Sequence, residues 1–101
     1  MAKHGIDIPR DELASLCRRH GVRRLSLFGS ILRDDFRPES DIDMLVEFEP
    51  GTQVGLRLFT IEQELSNLLG RKVDLNTRGF LSPHFREDVV RQAEVQYDAA
   101  G

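Results

Sequence analysis

The sequence predicts a small α/β (α+β) domain, a mixed sheet of three or four strands with helices packed on one face. Three observations predict it. Segments with apolar residues at helical spacing alternate with segments whose apolar residues recur at every second position. Glycine and proline mark the boundaries between them. The length, 101 residues, suits one compact domain, so helices and strands must share a single core. No internal repeat, low-complexity block or linker divides the chain, and the domain is read as residues 1–101 with a core over about 9–97.

Pro9 with Asp11 and Glu12 opens the first helix, because a proline in the first turn loses no hydrogen bond and the acids meet the positive end of the dipole. Leu13, Leu16 and Cys17 share one face, and Arg18-Arg19-His20 followed by Gly21 ends the helix. Val22 to Phe28 reads as a strand with Leu25 and Leu27 on one side, stopped by Gly29-Ser30. Ile31 to Asp35 reads as one helical turn. Asp41 to Phe48 alternates strictly: Ile42, Met44, Val46 and Phe48 point one way, Asp41, Asp43, Leu45 and Glu47 the other. Pro50-Gly51 closes it. Leu58, Ile61, Leu65 and Leu68 mark a helix from about Val54 to Leu69, capped by Gly70. Lys72 to Asn76 is a short strand with Asp74 outward. Ser82-Pro83 opens a last helix with an apolar stripe of Phe85, Val89 and Ala93, and Val95 and Tyr97 suggest a short terminal strand.

Composition narrows the function classes. The formal net charge is −3, which argues against a general nucleic-acid binder, whose footprint would be a basic excess. No run approaches the roughly 20 apolar residues of a membrane span, and no apolar run follows Met1-Ala2-Lys3-His4-Gly5, so neither membrane insertion nor a signal peptide is expected. The one cysteine, Cys17, has no internal partner for a disulfide; it reads as a buried small hydrophobe in a reducing compartment, and the expected location is cytoplasmic. His4, His20 and His84 lack metal-ligand spacing and read as surface residues.

The chemistry lies with the acids. Asp41 and Asp43, two apart on a strand, leave the same face with their stems about 6.5 Å apart. Two anions at that distance repel by about 2.5 kcal/mol at an effective dielectric of 20. Either one takes up a proton or a divalent cation sits between them, and oxygen-only ligation suits Mg²⁺ or Mn²⁺. Asp74 has the same outward parity on the next strand, about 4.8 Å away if the two are neighbours. Three carboxylates on one surface are what two-metal phosphoryl transfer requires. Gly29 lets a phosphate approach the backbone, and the amides and hydroxyl at Ser30 can bind it. Arg33, one turn on, and Ser40, just before the acids, can add contacts; the competing readings are a surface ion pair for Arg33 and a turn residue for Ser40.

Gly29-Ser30, ten intervening residues, then Asp41-x-Asp43 resembles the signature of the polymerase-β-like nucleotidyltransferase superfamily. The string LFGSILRDDFRPESDIDMLVEFEPG resembles the minimal nucleotidyltransferases, and RKVDLNT resembles their third-carboxylate strand. Leu32 and Asp34 depart from the small residue and glycine usual around the arginine in that family. The resemblance implies that Asp41, Asp43 and Asp74 are catalytic and bind Mg²⁺ (two ions, with Mn²⁺ as a substitute), and that Gly29, Ser30 and Arg33 bind the triphosphate of ATP, with Ser40 a nucleotide-binding candidate by its position alone. It also implies a partner, since these proteins are antitoxins of HEPN-domain ribonuclease toxins, and a reaction, AMP transfer to a tyrosine hydroxyl of the toxin. Two further readings stand beside it: a non-catalytic module that neutralises its partner by occlusion, and transfer to a small molecule, which the absence of a second substrate-holding domain disfavours. A homo-oligomer is compatible with any of them.

Overall fold

The computed structural model describes residues 5–100. In chain order the elements are α1 (Arg10–Arg19), β1 (Val22–Phe28), a 3₁₀ turn (Gly29–Leu32), β2 (Ile42–Phe48), α2 (Arg57–Leu69), β3 (Val73–Thr77), a second 3₁₀ turn (Arg78–Phe80), α3 (Pro83–Gln92) and β4 (Glu94–Asp98). The strands form one sheet in the order β3-β2-β1-β4, so the short terminal strand over Val95 and Tyr97 is present. β1 pairs antiparallel with β2 and β4, while β2 and β3 run parallel. Parallel strands need a crossover, and α2 provides it.

α1 and α2 pack together on one face of the sheet. Leu13, Leu16 and Cys17 of α1 and Ile61, Leu65 and Leu69 of α2 meet Leu25 and Leu27 of β1 and Ile42, Met44 and Val46 of β2. Burial pushes the Cys17 thiol up to about 12, which leaves it a protonated, inert hydrophobe at neutral pH. Ile6 and Ile8 also enter this core ahead of the first helix. Two isolated residues carry no periodicity, so the sequence did not announce them. His20 is not a free surface histidine: its Nε2 lies 2.9 Å from Glu64 Oε2, tying the end of α1 to α2. His4 falls outside the described residues.

Two elements differ from expectation. α2 begins at Arg57 and not near residue 54, because Gly55 adopts φ +42° and breaks the helical path; Gly70, at φ +68°, ends the helix as its sequence predicts. α3 starts as predicted, with Ser82 accepting from the His84 N–H and Pro83 at the first position. Its apolar stripe, however, joins no core. No residue of α3 is buried, and Phe85 remains 63% exposed. Leu81, Phe85 and Val89 line a cleft with Phe28 and Gly29 at the second face of the sheet. There Leu45 and Ser26, outward by parity, are nonetheless buried, and the Arg78–Phe80 turn contacts β2.

Candidate active site

β2 divides its side chains between two layers. Alternation sends Ile42, Met44 and Val46 into the core and leaves Asp43 on the opposite face, with Asp41 on the residue before the strand begins. The parallel register sets Asp74 of β3 directly opposite Asp43, and the antiparallel register sets Phe28 of β1 opposite it on the other side. β1 thus delivers Gly29-Ser30 to the end of the sheet that carries the acids.

Gly29 is required twice over. Its φ of +78° lies in the left-handed region, which costs an ordinary residue roughly 1–2 kcal/mol. A Cβ there would also run into the Asp43 carboxylate, whose Cγ lies 3.2 Å from the position that atom would take. The Gly29 turn and the Asp43 carboxylate therefore meet where a side chain is missing. The turn spans Gly29–Leu32 and is closed by the Arg33 N–H donating to Ser30 O at 2.9 Å; it starts two residues before the helical turn expected over Ile31 to Asp35. Phe28, not Ser30, occupies the cap position, and the Ser30 hydroxyl makes no hydrogen bond among the described residues.

The electrostatics follow the geometry. The Asp43 carboxyl is pushed up from 3.8 to about 6, first by burial, then by the neighbouring charges of Asp74 and Asp41, with Arg33 pulling it back. Lys72 Nζ stands 3.7 Å from Asp41 Oδ2. Arg33 donates from Nε to Asp35 Oδ1 at 3.2 Å, an exposed pair that leaves its charge within reach of Asp43.

Ser40 is a loop organiser. Its Oγ accepts from the Arg37 N–H at 3.1 Å, and its carbonyl accepts from Arg71 Nη2 at 2.6 Å. Arg71 also donates to Arg37 O and lies over the Phe36 ring, 5.0 Å from its centroid. It clamps the loop leading into Asp41. Lys72 pairs with an acid, and Arg71 holds backbone.

A match to the Nucleotidyltransferase domain family model spans residues 11–95. The chain belongs to this family. It is 36% identical over 77 residues to Protein adenylyltransferase MntA of Thermococcus cleftensis, covering 76% of this chain and 77% of that one. A solved structure of a provisionally named minimal nucleotidyltransferase superposes with a TM-score of 0.69 at 42% identity, covering 83% of this chain and 85% of that one. The fold also matches a structure of tri-AMPylated Shewanella oneidensis HEPN toxin in complex with MNT antitoxin, at a TM-score of 0.62 and 24% identity, covering 90% of this chain and 71% of that one.

In this nucleotidyltransferase a cleft of about 320 Å³ adjoins the Gly29 turn. Phe28, Gly29 and Arg33 form one wall, and Leu81, Phe85 and Val89 belong to the other, which explains the unburied stripe of α3. No His, Cys, Asp or Glu side chains among the described residues are drawn into a cluster of three that would hold a metal. The donor set nevertheless fits a hard divalent cation: it is all carboxylate oxygen, and Asp43 is raised by the anionic neighbours whose charge a cation would offset.

Proposed function

We propose that this nucleotidyltransferase moves AMP from ATP to a hydroxyl on a HEPN-domain toxin and acts as its antitoxin. The observation that carries the reading is the Asp43–Asp74 register with Gly29 packed under Asp43. Asp41, Asp43 and Asp74 would hold Mg²⁺, which when bound neutralises the triphosphate and lowers the pKa of the acceptor hydroxyl. The backbone of the Gly29-Ser30 turn and the unpartnered Ser30 hydroxyl would donate to a phosphate, and Arg33 would add positive charge. Ser40 supports Asp41 through the loop. The acceptor oxygen attacks the α-phosphorus in line, the bond to the α,β-bridging oxygen breaks, and pyrophosphate leaves. Asp74, exposed on the edge strand, would help take the acceptor's proton.

The toxin as acceptor is supported by the MntA name of the curated relative and by the fold shared with the toxin-bound MNT antitoxin. The test is incubation of the native chain with ATP, Mg²⁺ and its candidate HEPN-domain partner. An adenylyl mass increase on a tyrosine of that protein is expected; no increase would end the enzymatic reading. If Asp43→Asn still neutralises the toxin fully, occlusion and not transfer is the mechanism.

A further inference from the structure

β3 carries Asp74 at the edge of the sheet. It has five residues and pairs on one side only, in the parallel arrangement that is slightly weaker per residue. It also holds Asp74 opposite Asp43, where like charges push the strands apart. The Lys72 carbonyl accepts from the Ile42 N–H at 2.9 Å and so faces β2. By alternation the N–H groups of Val73 and Leu75 face away from the sheet, where an edge strand ordinarily meets water.

Both N–H groups find partners on α2. Leu75 N donates to Glu62 Oε2 at 2.8 Å, and Val73 N donates to Ser66 Oγ at 3.0 Å. Ser66 Oγ donates in turn to Glu62 O at 2.8 Å. Glu62 and Ser66 are one helical turn apart on a single face of α2, and the two amides they hold bracket Asp74. The Glu62 bond is charge-assisted, the stronger kind.

We propose that Glu62, assisted by Ser66, is the positioning residue for Asp74: it anchors β3 to α2 on both sides of that carboxylate and holds it opposite Asp43. The inference rests on Asp74 serving nucleotidyl transfer. Glu62 touches neither nucleotide nor acceptor and acts through the backbone.

The experiment titrates Mn²⁺ into the full chain with AMP-PNP, read by electron paramagnetic resonance, with amide exchange at Leu75 followed in parallel. Asp74→Asn is expected to weaken Mn²⁺ binding about 10-fold or more. Glu62→Ala weakens it about 10-fold and speeds Leu75 exchange, while Glu62→Gln, which keeps an acceptor oxygen, stays within about twofold of native. Ser66→Ala, the milder variant should Glu62→Ala not fold, costs about threefold, the worth of one neutral hydrogen bond. In the Asp74→Asn background neither substitution has a further effect, which a merely structural role would not produce. If Asp74→Asn binds Mn²⁺ like native, the reading of the site fails. If Asp74→Asn weakens binding but the Glu62 and Ser66 variants do not, or weaken it equally in both backgrounds, the positioning role is overturned.

Discussion

The two faces of β2 do opposite work with one backbone. On the core side Ile42, Met44 and Val46 are at most 1% exposed under α1 and α2. On the other side Asp43 is half-buried among like charges, with a glycine beneath it and the loosely covering α3 beyond. The first face contributes stability through removal of apolar area from water. The second costs stability, because desolvation and repulsion act on a carboxylate that could have been placed elsewhere. In so short a chain the repelling acids sit on a strand whose other face is secured by the core.

The largest expected effect separates the faces outright. Asp43→Asn should lower nucleotidyl transfer on the order of 10³-fold, the upper range for removing one group that stabilises transition-state charge. In the same protein, urea denaturation at pH 7 without metal should show a gain of about 1 kcal/mol, since the repelled charge is gone. A loss of stability instead would break the comparison.

Met44→Ala is the converse. It should cost about 2–5 kcal/mol by cavity formation, read as a lower midpoint in denaturant. The fraction that remains folded, measured by circular dichroism, should keep native activity per molecule.

Gly29→Ala joins the faces. Left-handed strain alone should cost about 1–2 kcal/mol, and the Cβ would displace the Asp43 carboxylate, so activity should fall further than stability. A variant that loses stability but keeps full transfer would show that Asp43 has freedom to move.

The smallest effect is a pH dependence. The Asp43 carboxyl rises from 3.8 to about 6 on folding, so the native state holds its proton more tightly than the unfolded chain. Its contribution is therefore most favourable below the unfolded value, declines as pH rises through the window from 3.8 to about 6, and is a full penalty above it. With partial exposure the change is about 1–2 kcal/mol. Thermal melts across that range should show the decline, Asp43→Asn should flatten it, and Mg²⁺ at pH 7 should raise the melting temperature. A slope unaltered in Asp43→Asn would assign it to other groups.

Much of this was legible in the chain. The alternation over Asp41 to Phe48 separated core from acids, Gly70 ended its helix, and Ser82-Pro83 began another. The candidate site residues were named from Gly29-Ser30, Asp41-x-Asp43 and Asp74, and the register sets Asp43 and Asp74 side by side. Less legible was anything depending on a neighbour distant in sequence. Leu45 looks solvent-facing by parity but is buried, on a strand that the Arg78–Phe80 turn contacts. Ser40 reads from the sequence as a turn residue or a phosphate contact, and only the fold shows its hydroxyl engaged by its own loop. Phe85, Val89 and Ala93 have the spacing of a core stripe, and spacing cannot say that a cleft, not a core, lies opposite.

The sequence by itself determined which side of each element is apolar, where the elements break, and which residue types are available for chemistry, because periodicity and turn chemistry are local. Only the tertiary structure decided why Gly29 must be glycine, since the Asp43 carboxylate that excludes a side chain there comes from a different strand. Only it revealed the α2 anchors of β3, because Glu62 and Ser66 are unremarkable on a helix until the unpaired edge of the Asp74 strand is set against them. Local order is written in short-range pattern; the placement of charge against charge is a property of strands brought together by the core.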